Sequence, residues 1–210
     1  MTGLVLSLFD LTGNMLKPWR DAGFDCMAVD LQSEPGSRER DGIIYVGGDV
    51  LRWLPPRAKY AAVFAFPPCT DVAVSGARWF QDKGLSGLAG AIELLERARQ
   101  IAEWADAPWM IENPVSTFST YWRKPDHVFH PSDFTGFELG DNYTKKTCIW
   151  AGNGFVMPQP KRAAGLGKPD DRIHKAPPGP DRANIRSATP MGFARAVFEA
   201  NHRKDQEKAA

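Results

Sequence analysis

Five short apolar runs, set apart by segments of a different character, constrain this chain more than any other feature. They read "LVLSLFD" (Leu4–Asp10), "CMAVDL" (Cys26–Leu31), "GIIYVGGDV" (Gly42–Val50), "YAAVFAFPP" (Tyr60–Pro68) and "PWMIENP" (Pro108–Pro114). Each has strand length, and a continuous apolar run suits a strand covered on both faces. A segment ending at "DAGFD" separates the first two and predicts a short helix. Between the fourth and fifth, "GLAGAIELLERARQIAEWA" (Gly87–Ala105) carries apolar residues at helical spacing with charge on the other face. Strands alternating with helices predict an α/β fold: a Rossmann-like, mostly parallel sheet with helices on both faces.

The 210 residues suffice for one domain with a full hydrophobic core. The opening "MTGLVLSLFD" has neither a basic leader nor a long apolar run, so no signal peptide and no membrane span are expected. Cys26, Cys69 and Cys148 are odd in number and widely spaced. That argues against a disulfide framework and for a reducing, cytoplasmic setting. No Cys/His cluster has zinc spacing; His127 and His130 read as loop residues, and no metal is expected.

The second half is less regular. "TCIWAGNGF" (Thr147–Phe155) predicts one more strand, and "TPMGFARAVFEANHR" (Thr189–Arg203) a helix with Thr189 as N-cap and Pro190 at the first position. From Met157 to Arg186 the chain is rich in Pro, Gly, Lys and Arg, with little apolar to bury. This divides the chain into an α/β domain over 1–156, a basic loop or arm over 157–185, and a C-terminal helix over 186–210 packing back, its last residues frayed. From Trp122 onward there are 15 Lys/Arg against 10 Asp/Glu, while residues 1–121 have 11 against 15. The asymmetry suits a negatively charged partner for the C-terminal half, or simply solvated faces.

In an open parallel sheet, ligands bind beyond the carboxyl ends of the strands. Asp30 ends the second run, where a carboxylate accepts bonds from ribose hydroxyls. Asp49 ends the third, where one meets an adenine amino group. The first turn has only Gly13, not the triple glycine that lets a backbone approach a pyrophosphate. That points away from NAD and FAD and towards a nucleoside without phosphates, such as S-adenosylmethionine. Either aspartate is also read as a plain helix cap.

"FAFPPCTDVAVSG" (Phe64–Gly76) places Cys69 after two prolines at a strand mouth, and Glu112 ends the fifth run. If these strands are adjacent, a thiol and a carboxyl share one crevice. The pair suits methylation of a pyrimidine: a thiolate adds at C6, a carboxylic acid at N3 neutralises developing charge, and C5 becomes nucleophilic. Pro67 and Pro68 restrict the backbone ahead of the sulfur. The bland alternative is a cysteine filling the core, which Cys26 and Cys148 fit better than Cys69, whose neighbours Thr70 and Asp71 are polar.

These residues, in this order, resemble the C5-cytosine DNA methyltransferases, in particular the compact members carried by bacteriophages and prophages. "FDLTGN…AGFDCMAVD" resembles the first cofactor motif, "GGDV" the Gly-Asp-Ile motif, "FPPCTDVAVSG" the Pro-Pro-Cys loop and "IENP" the Glu-Asn-Val motif. "RSATPMGFAR" (Arg186–Arg195) resembles the late motif that braces target recognition. The resemblance implies a Rossmann-like S-adenosylmethionine-dependent methyltransferase fold with a reduced target recognition region. It implies Cys69 as nucleophile, Glu112 as the N3 partner and Lys146 in place of the arginine that holds the base O2. Phe9, Asp10, Leu11, Thr12, Gly13, Asp30, Leu31, Asp49, Val50 and Pro67 would line the S-adenosylmethionine pocket. Pro68, Ser75, Asn113, Arg186 and Thr189 would face the substrate, a cytosine flipped out of DNA.

The departures are specific. Leu11 stands where the family has the first glycine, Thr70 follows the cysteine in place of glutamine, and Pro114 replaces valine. The basic arm (Lys161, Arg162, Lys168, Arg172, Lys175, Arg182) is expected to bind phosphates, giving affinity but little sequence specificity. Without a sizeable recognition region, the same chemistry on RNA or a free cytosine nucleotide stays open. So does a non-catalytic, cofactor-binding relative that serves as a DNA-binding or partner module.

Overall fold

The computed structural model describes residues 3–202. Its centre is a seven-stranded sheet in the order β3-β2-β1-β4-β5-β7-β6. The strands are β1 (Leu4–Leu8), β2 (Asp25–Arg40), β3 (Ile43–Gly47), β4 (Tyr60–Ala65), β5 (Trp109–Pro114), β6 (His127–Phe129) and β7 (Thr147–Gly152). The helices are α1 (Lys17–Asp21), α2 (Phe80–Trp104), α3 (Phe118–Tyr121), α4 (Arg182–Ser187) and α5 (Met191–Asn201). β2, β1, β4 and β5 pair in parallel, as the alternation of strand and helix requires. β7 enters antiparallel between β5 and β6, so that edge is not parallel.

Alternate side chains of each central strand serve opposite faces. Leu4, Leu6 and Leu8 join one core with Val63, Ala65, Trp109 and Ile111, covered by Leu95, Ala98 and Ile101 of α2. Val5 joins the other with Ala62, Phe64 and Met110, covered by Trp19 of α1 and Phe193, Ala194 and Val197 of α5. This two-sided burial is why the runs read as continuous apolar rather than alternating.

Three segments depart from expectation. β2 runs on to Arg40, and its second half forms an antiparallel hairpin with β3, Arg40 facing Ile43 and Arg38 facing Tyr45. Its first half also lies against β3, from Met27 opposite Ile44 to Asp30 opposite Gly47. Gly47 permits the close crossing: a Cβ there would stand 2.1 Å from Glu34 O. α2 begins seven residues earlier than the helical spacing implies and is broken at Gly84, where φ is +63°. The last helix is capped by Pro190, not Thr189, and no side chain bonds its free amides at that position. Instead Asp141 reaches across and accepts the Gly192 amide at 2.7 Å. Arg203 and the tail beyond lie outside the described residues.

Candidate active site

β1 ends at a backbone turn: Phe9 adopts φ +57°, a left-handed conformation uncommon for a non-glycine residue. The Phe9 amide donates to Val29 O at 2.7 Å. Asp10 then holds the loop from inside. Its Oδ1 accepts the amides of Thr12 (3.1 Å) and Gly13 (2.8 Å) and the Thr12 hydroxyl (3.0 Å), and its Oδ2 accepts the Ser7 hydroxyl (2.7 Å). Asp10 is thus a buried organiser whose acceptors are already engaged. Gly13 has φ +64°, and a Cβ would stand 2.3 Å from Tyr45 Oη, which itself donates to Thr12 O at 3.3 Å. Leu11 and Thr12 are half-buried on this loop.

Asp30 is buried at the end of the first half of β2. Its Oδ1 accepts the Gln32 amide at 2.8 Å, and no protein donor meets Oδ2 among the described residues. Burial raises its pKa, the Gln32 amide opposes this, and the nearby Asp10 adds to it. Leu31 beside it is 73 % exposed, an apolar surface open to a flat ring. A spare carboxylate oxygen, a bare apolar side chain and a tight glycine loop at one sheet edge fit the ribose and adenine of a nucleoside. Asp49 acts locally as well: its Oδ1 accepts the Leu51 amide at 3.0 Å, capping the turn after β3, while Val50 is core.

The pairing of Ala65 with Ile111 puts the ends of β4 and β5 side by side. Cys69 follows β4 by four residues, while Glu112 lies within β5, opposite Ile149 of β7. Buried Asn113 ties the two ends together, donating from Nδ2 to Pro67 O at 2.9 Å. Pro67 is buried, Pro68 and Ser75 are exposed, and Cys69 is half-buried. Burial pushes the Cys69 thiol up, the charge of Glu112 pushes it further, and Lys145 and Arg186 pull it down. Burial also raises the Glu112 carboxyl, against the opposing charge of Lys145.

Lys145, not Lys146, stands at this carboxyl: its Nζ is 3.8 Å from Glu112 Oε1. Lys146 is exposed, and its charge acts on Cys148 instead. Lys145 and Thr147 line a narrow crevice with Phe66, Glu112, Ser187 and Thr189. Cys69 is not in that lining. Lys145 and Lys146 both precede β7, so no strand alternation in the sequence chooses between them.

The C-terminal segment closes over this edge. Asn184 of α4 donates to Gln32 Oε1 at 3.1 Å, Asn14 of the first loop donates to Thr189 O at 3.0 Å, and Ser187 enters the crevice. Arg186 is half-buried, close enough to influence the Cys69 thiol. Much of the arm's charge is neutralised internally: Arg162 pairs with Asp133 (2.5 Å), Arg172 with Asp170 (2.5 Å) and Lys175 with Asp171 (2.8 Å). Among the described residues no three His, Cys, Asp or Glu side chains are grouped to hold a metal ion, and no helix is long and apolar enough to cross a membrane.

No protein-family model matches the chain, and no curated protein matches it. Among solved structures it is similar to the CcbJ methyltransferase from Streptomyces caelestis, at 16 % identity over 60 % of this chain and 49 % of that chain, with a TM-score of 0.33. It is also similar to the glycopeptide N-methyltransferase MtfA, at 14 % identity over 72 % of this chain and 66 % of that one, with a TM-score of 0.32. The chain thus matches about half the length of the first. Likeness of this degree leaves substrate and reaction to be argued from the site. By its strand order, with helices on both faces and β7 inserted antiparallel, the chain has a Rossmann-like α/β fold.

Proposed function

We propose that this protein methylates C5 of cytosine in DNA through a transient bond between Cys69 and C6 of the base. The observation that carries the reading is the meeting of the β4 and β5 ends, where a half-buried thiol lies close enough to a buried carboxyl and its lysine to feel both charges. S-adenosylmethionine, when bound, supplies the electrophilic methyl group. Asp30 would hold its ribose and Leu31 would cover its adenine, with the loop from Phe9 to Gly13 beside them.

The Cys69 thiol gives its proton to a water molecule and its sulfur adds to C6 of the ring. Glu112, whose carboxyl is raised by burial, donates in its protonated form to N3 and offsets the negative charge that the addition places there. Lys145 offers a second donor to the base, in the position the family resemblance gave to Lys146. C5 of the adduct then takes the methyl group. The C5 proton leaves to a water molecule, the electron pair reforms the C5–C6 bond, and the sulfur departs as thiolate. Asn113 is a positioning residue, fixing Pro67 and so the approach of Cys69.

In this reading residues 1–156 carry cofactor and chemistry, 157–185 form a minimal arm for the nucleic acid, and the C-terminal helix braces both. The test is transfer of tritiated methyl from S-adenosylmethionine to duplex DNA, transfer RNA and dCMP in parallel. Label in DNA cytosine, lost in Cys69→Ser, is the expected result. Label only in RNA or dCMP moves the chemistry to another substrate. No label in any of them, with cofactor bound, contradicts catalysis.

A further inference from the structure

We propose that Trp79, with Arg78 laid against its ring, is a stacking platform for a nucleobase next to the reacting cytosine. The proposal rests on the nucleic-acid reading above. Trp79 is 51 % exposed. The Arg78 guanidinium carbon lies 5.0 Å from its centroid, and Arg78 meets no carboxylate among the described residues. Val74 and Leu85, 52 % and 85 % exposed, extend the same bare segment.

Both ends of this segment are pinned beside the thiol. At the start, the Val72 and Ala73 amides donate to Cys69 O at 3.1 and 2.8 Å, and the Val74 amide to Val115 O at 2.9 Å. At the end, Lys83 pairs with Asp71 at 3.1 Å and bonds Thr70 O. Between the pins, Val74–Trp79 is a 3-10 helix, which rises about 2 Å per residue. Trp79 is therefore carried on the order of 10 Å from the start of the segment.

A flat aromatic face with an unpaired planar cation suits a ligand that is itself flat and carries phosphate: bases stack on the indole, and the guanidinium serves the ring and the backbone together. A protein partner would use the apolar surface but not the cation. A free nucleotide has no neighbouring base to offer. The platform thus selects a polynucleotide over a mononucleotide, and an unpaired or unstacked neighbour over a rigid duplex step.

The experiment is fluorescence anisotropy of the full chain with a short single-stranded DNA holding one cytosine, in the presence of S-adenosylhomocysteine. Matched strands carry an abasic site on either side of that cytosine. Trp79→Ala is expected to weaken binding to the intact strand about tenfold or more, with Trp79→Phe restoring most of it. One abasic strand should bind the wild type equally weakly, and Trp79→Ala should weaken that strand no further. Binding of dCMP should be unchanged by Trp79→Ala. Equal affinities of wild type and Trp79→Ala for intact and abasic strands would overturn the proposal. Methyl transfer to the same strand is read separately. Transfer without any Trp79 dependence of binding removes the platform and keeps the reaction; Trp79-dependent binding without transfer does the reverse. Absence of binding to every strand removes the platform as well.

Discussion

Lys145 Nζ stands 3.8 Å from Glu112 Oε1, and no hydrogen bond satisfies that buried oxygen. A carboxyl that is desolvated, faced by a cation and left without a donor is prepared for a ligand rather than for stability. Burial keeps it protonated to a higher pH than an ordinary glutamic acid, which is the state that donates a hydrogen bond.

The same arrangement fixes a pH dependence at the thiol. Cys69 is raised by burial and by the Glu112 charge, so its alkylation by iodoacetamide should rise with pH through a midpoint above the ordinary thiol value. Glu112→Gln removes the charge that raises the thiol and should lower that midpoint. Lys145→Met removes a positive one and should raise it. Midpoints that do not move in these opposite senses would separate the three groups in space.

Gly13→Ala should damage the cofactor loop from two directions. It forces an L side chain into φ +64° and drives a Cβ to 2.3 Å from Tyr45 Oη. A loss of about 1–3 kcal/mol in urea unfolding is expected, with S-adenosylmethionine affinity by calorimetry down at least tenfold. Adding Tyr45→Phe should recover the steric part only.

Asn113→Ala removes the tie to Pro67 O and leaves that carbonyl unpaired in a buried setting. The expected cost is about 1–3 kcal/mol in stability. The kinetic signature of a positioning role is a fall in kcat with little change in cofactor affinity, measured by steady-state methyl transfer and calorimetry. A fall in cofactor affinity alone would place Asn113 elsewhere in the mechanism.

The arm should bind DNA with a shallow salt dependence. Six basic residues would give a log–log slope near −5 on a duplex at about −0.9 per phosphate. Three of the six are already paired with carboxylates, so a slope near −3 is expected. Lys168→Ala, which breaks no ion pair, should reduce it by about one. A slope of −5 or steeper would mean that those pairs open on binding.

How much of this was legible in the residues follows from what each signal depends on. The central strands were, because burial on both faces leaves one apolar run per strand, as in "YAAVFAF". The second half of β2 was not: "SEPGSRER" holds a proline, a glycine and four charged residues, and it becomes a strand only through its hairpin with β3. β6 is three residues long and takes its place from β7. Cys69 and Glu112 stood out because their neighbours suit a core badly. Lys145 did not, since the two adjacent lysines lie ahead of β7 and only the three-dimensional contact with Glu112 separates them. The engaged state of Asp10 and the internal pairing of the arm depend on three-dimensional partners that spacing does not encode.

The central claim is that the sulfur of Cys69 attacks a cytosine ring held by Glu112. Incubation with DNA containing 5-fluorocytosine and S-adenosylmethionine tests it most directly, because fluorine at C5 blocks the release of the sulfur. A denaturation-resistant complex is predicted, with the cross-link mapped by mass spectrometry to Cys69 and absent from Cys69→Ser. Methylation of ordinary cytosine with no trapped complex, or a cross-link at Cys26 or Cys148, would contradict it.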